Sequence, residues 1–364
     1  MTTANILSQL GSAGVSTGFK NRIINGAMVI DQRNAGASVA TSTTSAYTYC
    51  LDRYAYYTTA ASKFTVQQNA GSITPPVGYT NYLGATSTAA TTLASTDYYF
   101  ISQRVEGFNI ADLAWGTANA KTVTLSFWVQ SSLTGTFGGS INSNSYARSY
   151  PFSYTISTAN TWTQISVTIP GDTTGTWLTN NGIGLIVIFG LGCGSSVSGT
   201  AGSWSGATNL YSATGAVSVV GTNGATFYIT GVQLEVGTTA TNFEYRDFGR
   251  ELILCQRYFE KSFNTDLPVA NGADASSFSS VVGYWAGLPS NTTICAHLSF
   301  KVTKRATPTI TGYGNNSGYW VCSGSFNSLA FGPGQIGYTS CIFQQQVVNG
   351  IAATYGHWTA SAEL

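Results

Sequence analysis

The chain has 364 residues, a formal net charge of +1 and only 8% charged residues, against about 25% in an average soluble domain. Hydroxyl, amide and aromatic groups must therefore form most of its surface, and an aromatic content of 13% predicts a folded core rather than a disordered chain. Because so little net charge gives no long-range field and no apolar run approaches the ~18 residues of a membrane span, neither nucleic-acid binding nor membrane insertion is expected.

Residues 1–20 combine a few spaced apolar side chains, Ile6, Leu7 and Leu10, with a Gly/Ser-rich stretch. The segment is too short to fold by itself and lacks the basic start and apolar core of a secretory signal. It is either a frayed terminus or an anchor that becomes ordered on docking to a larger assembly.

Residues 21–244 alternate apolar and polar side chains with the period of a β-strand. In VTLSFWVQSS (residues 123–132) the apolar positions recur every second residue, with Thr124, Ser126 and Trp128 on the other face. The apolar row at residues 227 and 229 resumes one residue out of phase at 232 and 234, and Gly231 at the slip predicts a β-bulge. Many short strands separated by turn pairs predict an all-β sandwich, most simply a jelly roll.

Within this region, residues 190–194 read GLGCG after an apolar strand and superficially resemble a dinucleotide-binding loop. The spacing is GxGxG rather than GxGxxG, and the residues that follow cannot open the helix that would hold a phosphate. The sequence therefore predicts a flexible loop without a nucleotide.

A short helix is predicted over residues 248–260. Leu252, Cys255 and Phe259 lie at i, i+3 and i+7 and form one apolar stripe, with Glu251 and Arg257 outside it. The stripe either packs on the sandwich of the same chain or meets two further copies on a fibre axis. A helix of this length cannot hold a trimer together alone, so other surface would have to contribute.

Residues 263–364 form a second region of short alternating rows with Asn-Gly turns, about the size of a small domain. Its last strand ends at the final residues, which we expect to be tied into a sheet.

Residues suited to metal binding or nucleophilic catalysis are sparse. The six cysteines form no CxxC pair, and His297 and His357 lie in different neighbourhoods from most of them, so neither a metal site nor a disulfide framework is expected. No GxSxG elbow occurs, and no cofactor is required. Buried free thiols in a protein made in a reducing cytoplasm are expected.

A glycan-cleaving enzyme normally needs two carboxylates about 5–10 Å apart. Asp172, the only acid between residues 113 and 234, follows Pro170-Gly171 and is expected to be a turn residue. A pair could still be assembled from acids in the first third of the chain, namely Asp31, Asp52, Asp97, Glu106 and Asp112. We expect a protein that is not an enzyme, with a glycan-cleaving spike as a weaker alternative.

Aromatic side chains are better candidates for function, because a sugar presents apolar C–H faces to a flat ring and hydroxyl groups to amides. Two clusters qualify. The sandwich cluster consists of Tyr146, Tyr150, Trp177, Trp204 and Tyr211 in Gly/Ser/Asn-rich stretches. The C-terminal cluster centres on GYGNNSGYW (residues 312–320), whose turn chemistry predicts an exposed tip. The predicted receptor-binding or glycan-binding residues are Tyr313, Asn315, Asn316, Tyr319, Trp320, Trp285, His357 and Trp358.

Five segments, in this order along residues 18–262, resemble a bacteriophage tail-fibre family. They are NRIINGAMVIDQRNAG (21–36), LDRY (51–54), ISQRVEG (101–107), VTLSFWVQSS (123–132) and GVQLEVGTTATNFEYRDFGRELILCQRYFEK (231–261). The resemblance implies a virion protein, usually trimeric, with a jelly roll similar to carbohydrate-binding modules and a distal part that contacts the host. Many relatives have Trp where this chain has Tyr54, so that aromatic is expected in the core.

The resemblance completes the expected organisation: an N-terminal virion anchor or linker (1–20), a jelly roll (21–247), a linking helix (248–262) and a C-terminal β tip (263–364). The expected function is host attachment by a homotrimeric tail fibre, synthesised in the host cytoplasm. Its N-terminus would bind other tail or baseplate proteins, and its tip a host surface glycan or protein receptor. The alternative is a purely structural baseplate or capsid-decoration protein, whose aromatic loops would be buried in interfaces.

Overall fold

The computed structural model describes residues 19–42, 44, 46–271, 281–284, 293–313, 321–322, 332–346, 353–355 and 357–364. Strands are numbered β1–β23 in chain order, and the α-helix is α1. Among these residues β-structure dominates, and two antiparallel sheets of six strands each pack face to face as a jelly-roll sandwich. The predicted fold class is confirmed.

The first sheet has the strand order β1 (Val39–Ala40), β4 (Phe64–Gln68), β5 (Leu83–Ser87), β14 (Thr226–Val236), β7 (Val123–Ser131) and β10 (Thr163–Ile169). The second has the order β2 (Thr48–Leu51), β3 (Tyr54–Thr58), β6 (Tyr98–Glu106), β11 (Ile183–Cys193), β8 (Gly135–Ser143) and β9 (Ser149–Ile156). Short 3₁₀ turns lie at Ala70–Ser72, Gly107–Asn109, Ala111–Leu113 and Ser195–Val197.

The main core lies between the two sheets and is built from the inward positions of each strand. Leu125 and Phe127 of β7 are buried there, as their alternation predicts, and so is Tyr54. In β14 the register shifts between Thr230 and Gln233, and Gly231 has a φ of +61°. The predicted β-bulge is therefore confirmed, and it keeps Phe227 and Leu234 on the same buried face.

The prediction of a flexible loop at residues 190–194 is wrong, because β11 continues to Cys193. Residues 195–214, which include the parallel strands β12 (Ser198–Gly199) and β13 (Ser212–Ala213), fold over the outer face of the second sheet. A Cβ on Gly190 would lie 2.9 Å from the Ser212 hydroxyl, and one on Gly192 2.7 Å from a Val220 methyl. These glycines therefore allow close packing rather than flexibility.

Helix α1 spans Phe248–Gln256. Asp247 caps its N-terminus, and the Asp247 side chain accepts a hydrogen bond from the backbone N–H of Arg250. The predicted end at residue 260 is wrong, because Phe259 already belongs to strand β15 (Phe259–Lys261). Cys255 packs with Ile24 and Ile30 of the same chain, which supports the first of the two predicted roles of the apolar stripe.

The expectation that Glu251 lies outside the packed face of the helix is also wrong. Its side chain is buried and accepts a hydrogen bond from the backbone N–H of Asn25, with the Arg246 guanidinium 3.5 Å away. These two donors explain why a carboxylate is tolerated at a buried position.

The C-terminal strands form three small antiparallel sheets in the described residues. Their orders are β15, β23 (His357–Ser361), β18 (Thr309–Tyr313); then β16 (Val281–Tyr284), β22 (Ala353–Tyr355), β19 (Val321–Cys322); and β17 (Thr293–Ser299), β21 (Ser340–Gln346), β20 (Gly332–Ile336). The last strand is the middle strand of its sheet, which confirms that the final residues are tied into a sheet. Because its partner β15 follows α1 directly, residues 259–261 contribute to the C-terminal region rather than to a helical linker.

Candidate functional site

The predicted C-terminal cluster is described only in part. Five of its members lie outside the described residues: Trp285, Asn315, Asn316, Tyr319 and Trp320. Tyr313, at the end of β18, is partly exposed and meets Phe263 edge-on at 5.5 Å. The proposed role of this cluster in receptor binding remains a prediction.

As candidate binding residues, His357 and Trp358 were expected to be partly exposed, and this is wrong, since they are only 2% and 4% exposed. His357 stacks on Phe263 at 4.2 Å, and its Nδ1 lies 3.0 Å from the Ser262 hydroxyl. Trp358 packs against Phe300 at 5.9 Å. Both residues lie on the middle strand of a sheet, and packing on both sides of that strand explains their burial.

The sandwich cluster separates into two groups. In the first, Trp177 and Trp204 pack edge-to-face at 5.5 Å, and Tyr150 lies 5.2 Å from Trp204. Asp172 accepts two hydrogen bonds of 2.7 Å from Arg148 beside them, so this acid is the buried half of an ion pair and does more than form a turn. These rings mainly cover one another and pack in or against the main core.

The second group is a row of tyrosines on the outer face of the second sheet. Tyr57 stacks between Tyr47 and Tyr98 with centroid distances of 4.7 and 5.0 Å and interplanar angles of 16° and 14°. Tyr146 hydrogen-bonds Tyr47 through their hydroxyls, and Tyr211 packs edge-on to Tyr146 at 5.6 Å. Because the ring faces in this row cover one another, few remain free to stack on a sugar.

A better site for stacking and hydrogen bonding is a groove on the outer face of the first sheet. Antiparallel pairing of β14 with β5 and β7 places Gly84, Tyr228 and Gln130 in one row across that face. Trp162, directly before β10, extends the row because Thr163 pairs with Val129. The groove has a volume of about 590 Å³ and is lined by Ile73, Thr74, Gln130, Ser132, Asn160, Thr161, Trp162, Thr226 and Tyr228.

The aromatic side of the groove is held in place by fixed contacts. The indole N–H of Trp162 donates a 2.9 Å hydrogen bond to the carbonyl of Thr74. Tyr82 then packs edge-to-face on Trp162 at 5.6 Å and against Tyr228 at 5.3 Å. Gly84 leaves room for this arrangement, since a Cβ there would lie 2.7 Å from the Tyr228 ring. These contacts set the arrangement of Trp162, Tyr82 and Tyr228 along this side of the groove.

Gln130 is the most deeply buried of the polar side chains that line the groove. Its side chain is 7% exposed, and its Oε1 has no hydrogen-bond partner among the described residues. Buried polar atoms in native proteins almost always have a partner, and each exception needs an explanation. The oxygen itself lies below the surface, so a ligand hydroxyl can bond it only once the carboxamide turns toward the groove.

The carboxylates considered for catalysis are all engaged in local interactions. Asp31 accepts from the N–H groups of residues 34 and 36, and Asp97 from that of residue 94. Glu106 accepts two hydrogen bonds from Arg257, and Asp112 pairs with Arg22. Asp52 is fully buried and accepts from both the backbone and the side chain of Gln32. None of these acids lines the groove.

Burial raises the pKa of Asp52 to about 7, although Arg33 and the hydrogen bonds from Gln32 act in the opposite direction. A raised carboxyl pKa is common at catalytic sites but also arises in structural networks. Here the carboxyl group is enclosed behind Gln32, where no substrate reaches it, so the shift is a property of the packing.

Metal and thiol chemistry have little support in the described residues. No group of three His, Cys, Asp or Glu side chains there could hold a metal ion. Five cysteines are free thiols, namely Cys50, Cys193, Cys255, Cys295 and Cys341. Burial raises the pKa of Cys50 to about 12 and that of Cys341 to about 11, whereas Cys295 is exposed, contrary to the expectation of burial. No helix in the described ranges has the length and apolarity to cross a membrane.

Sequence reasoning missed the groove because its members come from distant segments. The available signal was in β7, where the outward Trp128 and Gln130 alternate with the buried Phe127 and Val129. Only the strand register shows that residues 162 and 228 lie beside Gln130.

Searches of family models and of curated proteins gave no match. Among solved structures, the enzymatically active domain of bacteriophage CBA120 tailspike protein 4 aligns with 12% identity and a TM-score of 0.31, over 60% of this chain and 21% of that one. The CBM22-1 xylan-binding domain of Paenibacillus barcinonensis aligns with 8% identity and a TM-score of 0.28, over 57% of this chain and 99% of that one.

The family 11 carbohydrate-binding module of Clostridium thermocellum, solved with a mixed-linked β-1,3-1,4 tetrasaccharide, aligns with 13% identity and a TM-score of 0.26. The alignment covers 56% of this chain and 100% of that one. With similarity this low, the fold is assigned from the strand order of the chain itself.

Proposed function

We propose that this protein binds carbohydrate and attaches a virion to the surface of its host, with the groove on the first sheet as a sugar-binding site. The observation that carries the proposal is one groove that combines the partly exposed ring of Trp162, supported by the largely buried Tyr228, with Gln130, whose amide oxygen has no hydrogen-bond partner among the described residues. Aromatic rings stack on the C–H faces of a sugar, and an amide bonds its hydroxyls.

The assignment to a virion tail fibre is supported by the order and length of the five segments that resemble tail-fibre proteins. We extend the proposal to a homotrimer anchored through its N-terminus. Several weak sugar contacts in one particle would then combine into firm adsorption through their effective concentration.

The loop at residues 312–320 and its neighbours remain a second proposed contact with the host. If this loop also contacts the host, the groove and the tip would both bind the same receptor. Alternatively, the tip would bind a protein while the groove binds sugar. The two sites are far apart in sequence, so single substitutions can separate them.

The test is adsorption of fluorescently labelled full-length protein to a panel of bacterial strains, before and after periodate oxidation of surface glycans. Wild-type protein is compared with Trp162→Ala, Trp320→Ala and the control Phe108→Ala, whose side chain is exposed and outside the groove. Point substitutions are needed because deleting the C-terminal region would also remove β23, the partner of β15.

The proposal predicts adsorption that periodate abolishes and that Trp162→Ala weakens about tenfold or more, while Phe108→Ala has no effect. Loss only in Trp320→Ala would move receptor binding to the tip. Adsorption that resists periodate but not protease would point to a protein receptor. Absence of adsorption to every strain would favour the structural baseplate or decoration protein.

A further inference from the structure

We infer that the ligand of the groove is an uncharged glycan and that Gln130 is the residue that selects it, an inference that rests on the proposed carbohydrate binding. Acidic host polymers such as teichoic acids or anionic capsules would then be poor ligands of this site. Three features of the described residues carry the inference: the absence of charge around the groove, the burial of Gln130 and its unpaired amide oxygen.

The nine lining residues include no Asp, Glu, Lys, Arg or His. The absence extends beyond the groove, because β4, β5, β7 and β10 carry no charged residue along their whole length. In β14 the single acid, Glu235, accepts hydrogen bonds from both the N–H and the hydroxyl of Thr241. A carboxylate or phosphate entering the groove would lose hydration without gaining a cation, which is unfavourable.

Gln130 has a specific reason to prefer a hydroxylated, uncharged ligand. Leaving a buried acceptor without a partner costs about 1–3 kcal/mol. A sugar hydroxyl both donates and accepts, so it can bond the carboxamide whichever of its two atoms faces the groove. A site built around such a group rejects analogues that lack the hydroxyl, because the buried amide is then left unpaired.

The same physics separates a binding role from a structural one. Gln130→Met keeps the length and bulk of the side chain and removes the polar atoms. If Gln130 served only the fold, its loss would lower the free energy of unfolding. Because its Oε1 has no partner among the described residues, we expect Gln130→Met to leave the free energy of unfolding unchanged or to raise it, while weakening binding about tenfold.

The experiment measures binding of full-length wild-type, Gln130→Met and Trp162→Ala proteins to immobilised polysaccharides by biolayer interferometry. The neutral probes are a β-glucan, a mannan, a galactan and dextran, and the acidic probes are alginate, polysialic acid and a teichoic acid. Each is measured at low and high sodium chloride, and the unfolding of each variant is followed in urea.

The expected result is binding to at least one neutral polymer, little changed by salt, about tenfold weaker in Gln130→Met and lost in Trp162→Ala. Binding confined to acidic polymers and weakened by salt would overturn the inference and leave carbohydrate binding standing. Unchanged affinity in Gln130→Met, or a loss accompanied by a lower free energy of unfolding, would overturn the role of Gln130. Binding to neither class would overturn the inference together with the proposed function of the groove.

Discussion

Arg53 and Glu363 lie 310 residues apart in the sequence and form an ion pair in which the two side chains are only 1% and 7% exposed. Arg33 binds the same carboxylate at 2.8 Å, and the Arg53 guanidinium lies 3.6 Å from the ring centre of Tyr258. The end of the described chain is thereby fixed to the sandwich and to the residues after helix α1.

Replacing Glu363 by Gln should lower the free energy of unfolding by about 3 kcal/mol, because it leaves two buried or half-buried guanidinium groups without their carboxylate. Urea denaturation followed by tryptophan fluorescence measures the change. Asp266→Asn is the matched control, since Asp266 is exposed and forms no ion pair within the described residues; its effect should stay within about 0.5 kcal/mol. Equal effects of the two substitutions would contradict the importance of the Arg53–Glu363 pair.

The raised pKa of Asp52 predicts that the protein loses stability as the pH rises. In the folded state the carboxyl group holds its proton up to a pKa of about 7, whereas in the unfolded chain the pKa is about 3.9. The stabilisation from the bound proton is therefore complete below about pH 4 and lost as the pH rises through 7.

Free energies of unfolding measured from pH 5 to pH 8 test this expectation. Wild-type protein should lose more stability over that interval than Asp52→Asn, which has no proton to release. The change in the free energy of unfolding with pH is the relevant quantity, rather than its value at one pH. An amide satisfies the two donors of Gln32 less well and therefore lowers stability at every pH. Parallel curves for the two proteins would show that Asp52 does not titrate in this range.

The bulge at Gly231 should tolerate no side chain. Alanine there would have to adopt a φ of +61°, and its Cβ would lie 2.6 Å from the Tyr79 hydroxyl oxygen and 2.7–2.9 Å from atoms of its ring. Gly231→Ala should therefore cost about 3 kcal/mol, from backbone strain and overpacking together. Gly224→Ala isolates the strain, because Gly224 also has a positive φ, +76°, but nothing within 4 Å of a Cβ; we expect about 1 kcal/mol. Thermal or urea unfolding should show a larger loss of stability in Gly231→Ala than in Gly224→Ala. The reverse order would contradict the crowding at Gly231.

Much of the fold could be predicted from local patterns. The alternation in residues 123–132 predicted which side chains of β7 face the core. The change of phase in the apolar row between residues 229 and 232 predicted the bulge at Gly231. Prediction failed where distant segments decide the outcome. The helix ends at Gln256 because residues 259–261 pair with β23 near the end of the chain, and residues 190–193 continue a strand because a later segment covers them.

The candidate site was less predictable than the fold. Aromatic composition indicated sugar binding, yet Trp177 and Tyr150 pack within the sandwich and His357 lies in the middle of a sheet. Gln130, Trp162 and Tyr228 come together only through the register of strands that lie far apart in sequence. Neither spacing nor residue type in the sequence reports that register.

The central claim, that the groove on the first sheet binds sugar, is tested most directly by fluorine NMR. The chain has 8 tryptophans, which 5-fluorotryptophan labels uniformly, and Trp162→Phe assigns the resonance of Trp162 by its disappearance. Titration with the polysaccharide that the protein binds should shift the Trp162 resonance and leave those of Trp115 and Trp177, which are buried in the core, unchanged. A Trp162 resonance that stays fixed at saturation, with the shift at Trp320 instead, would contradict the account.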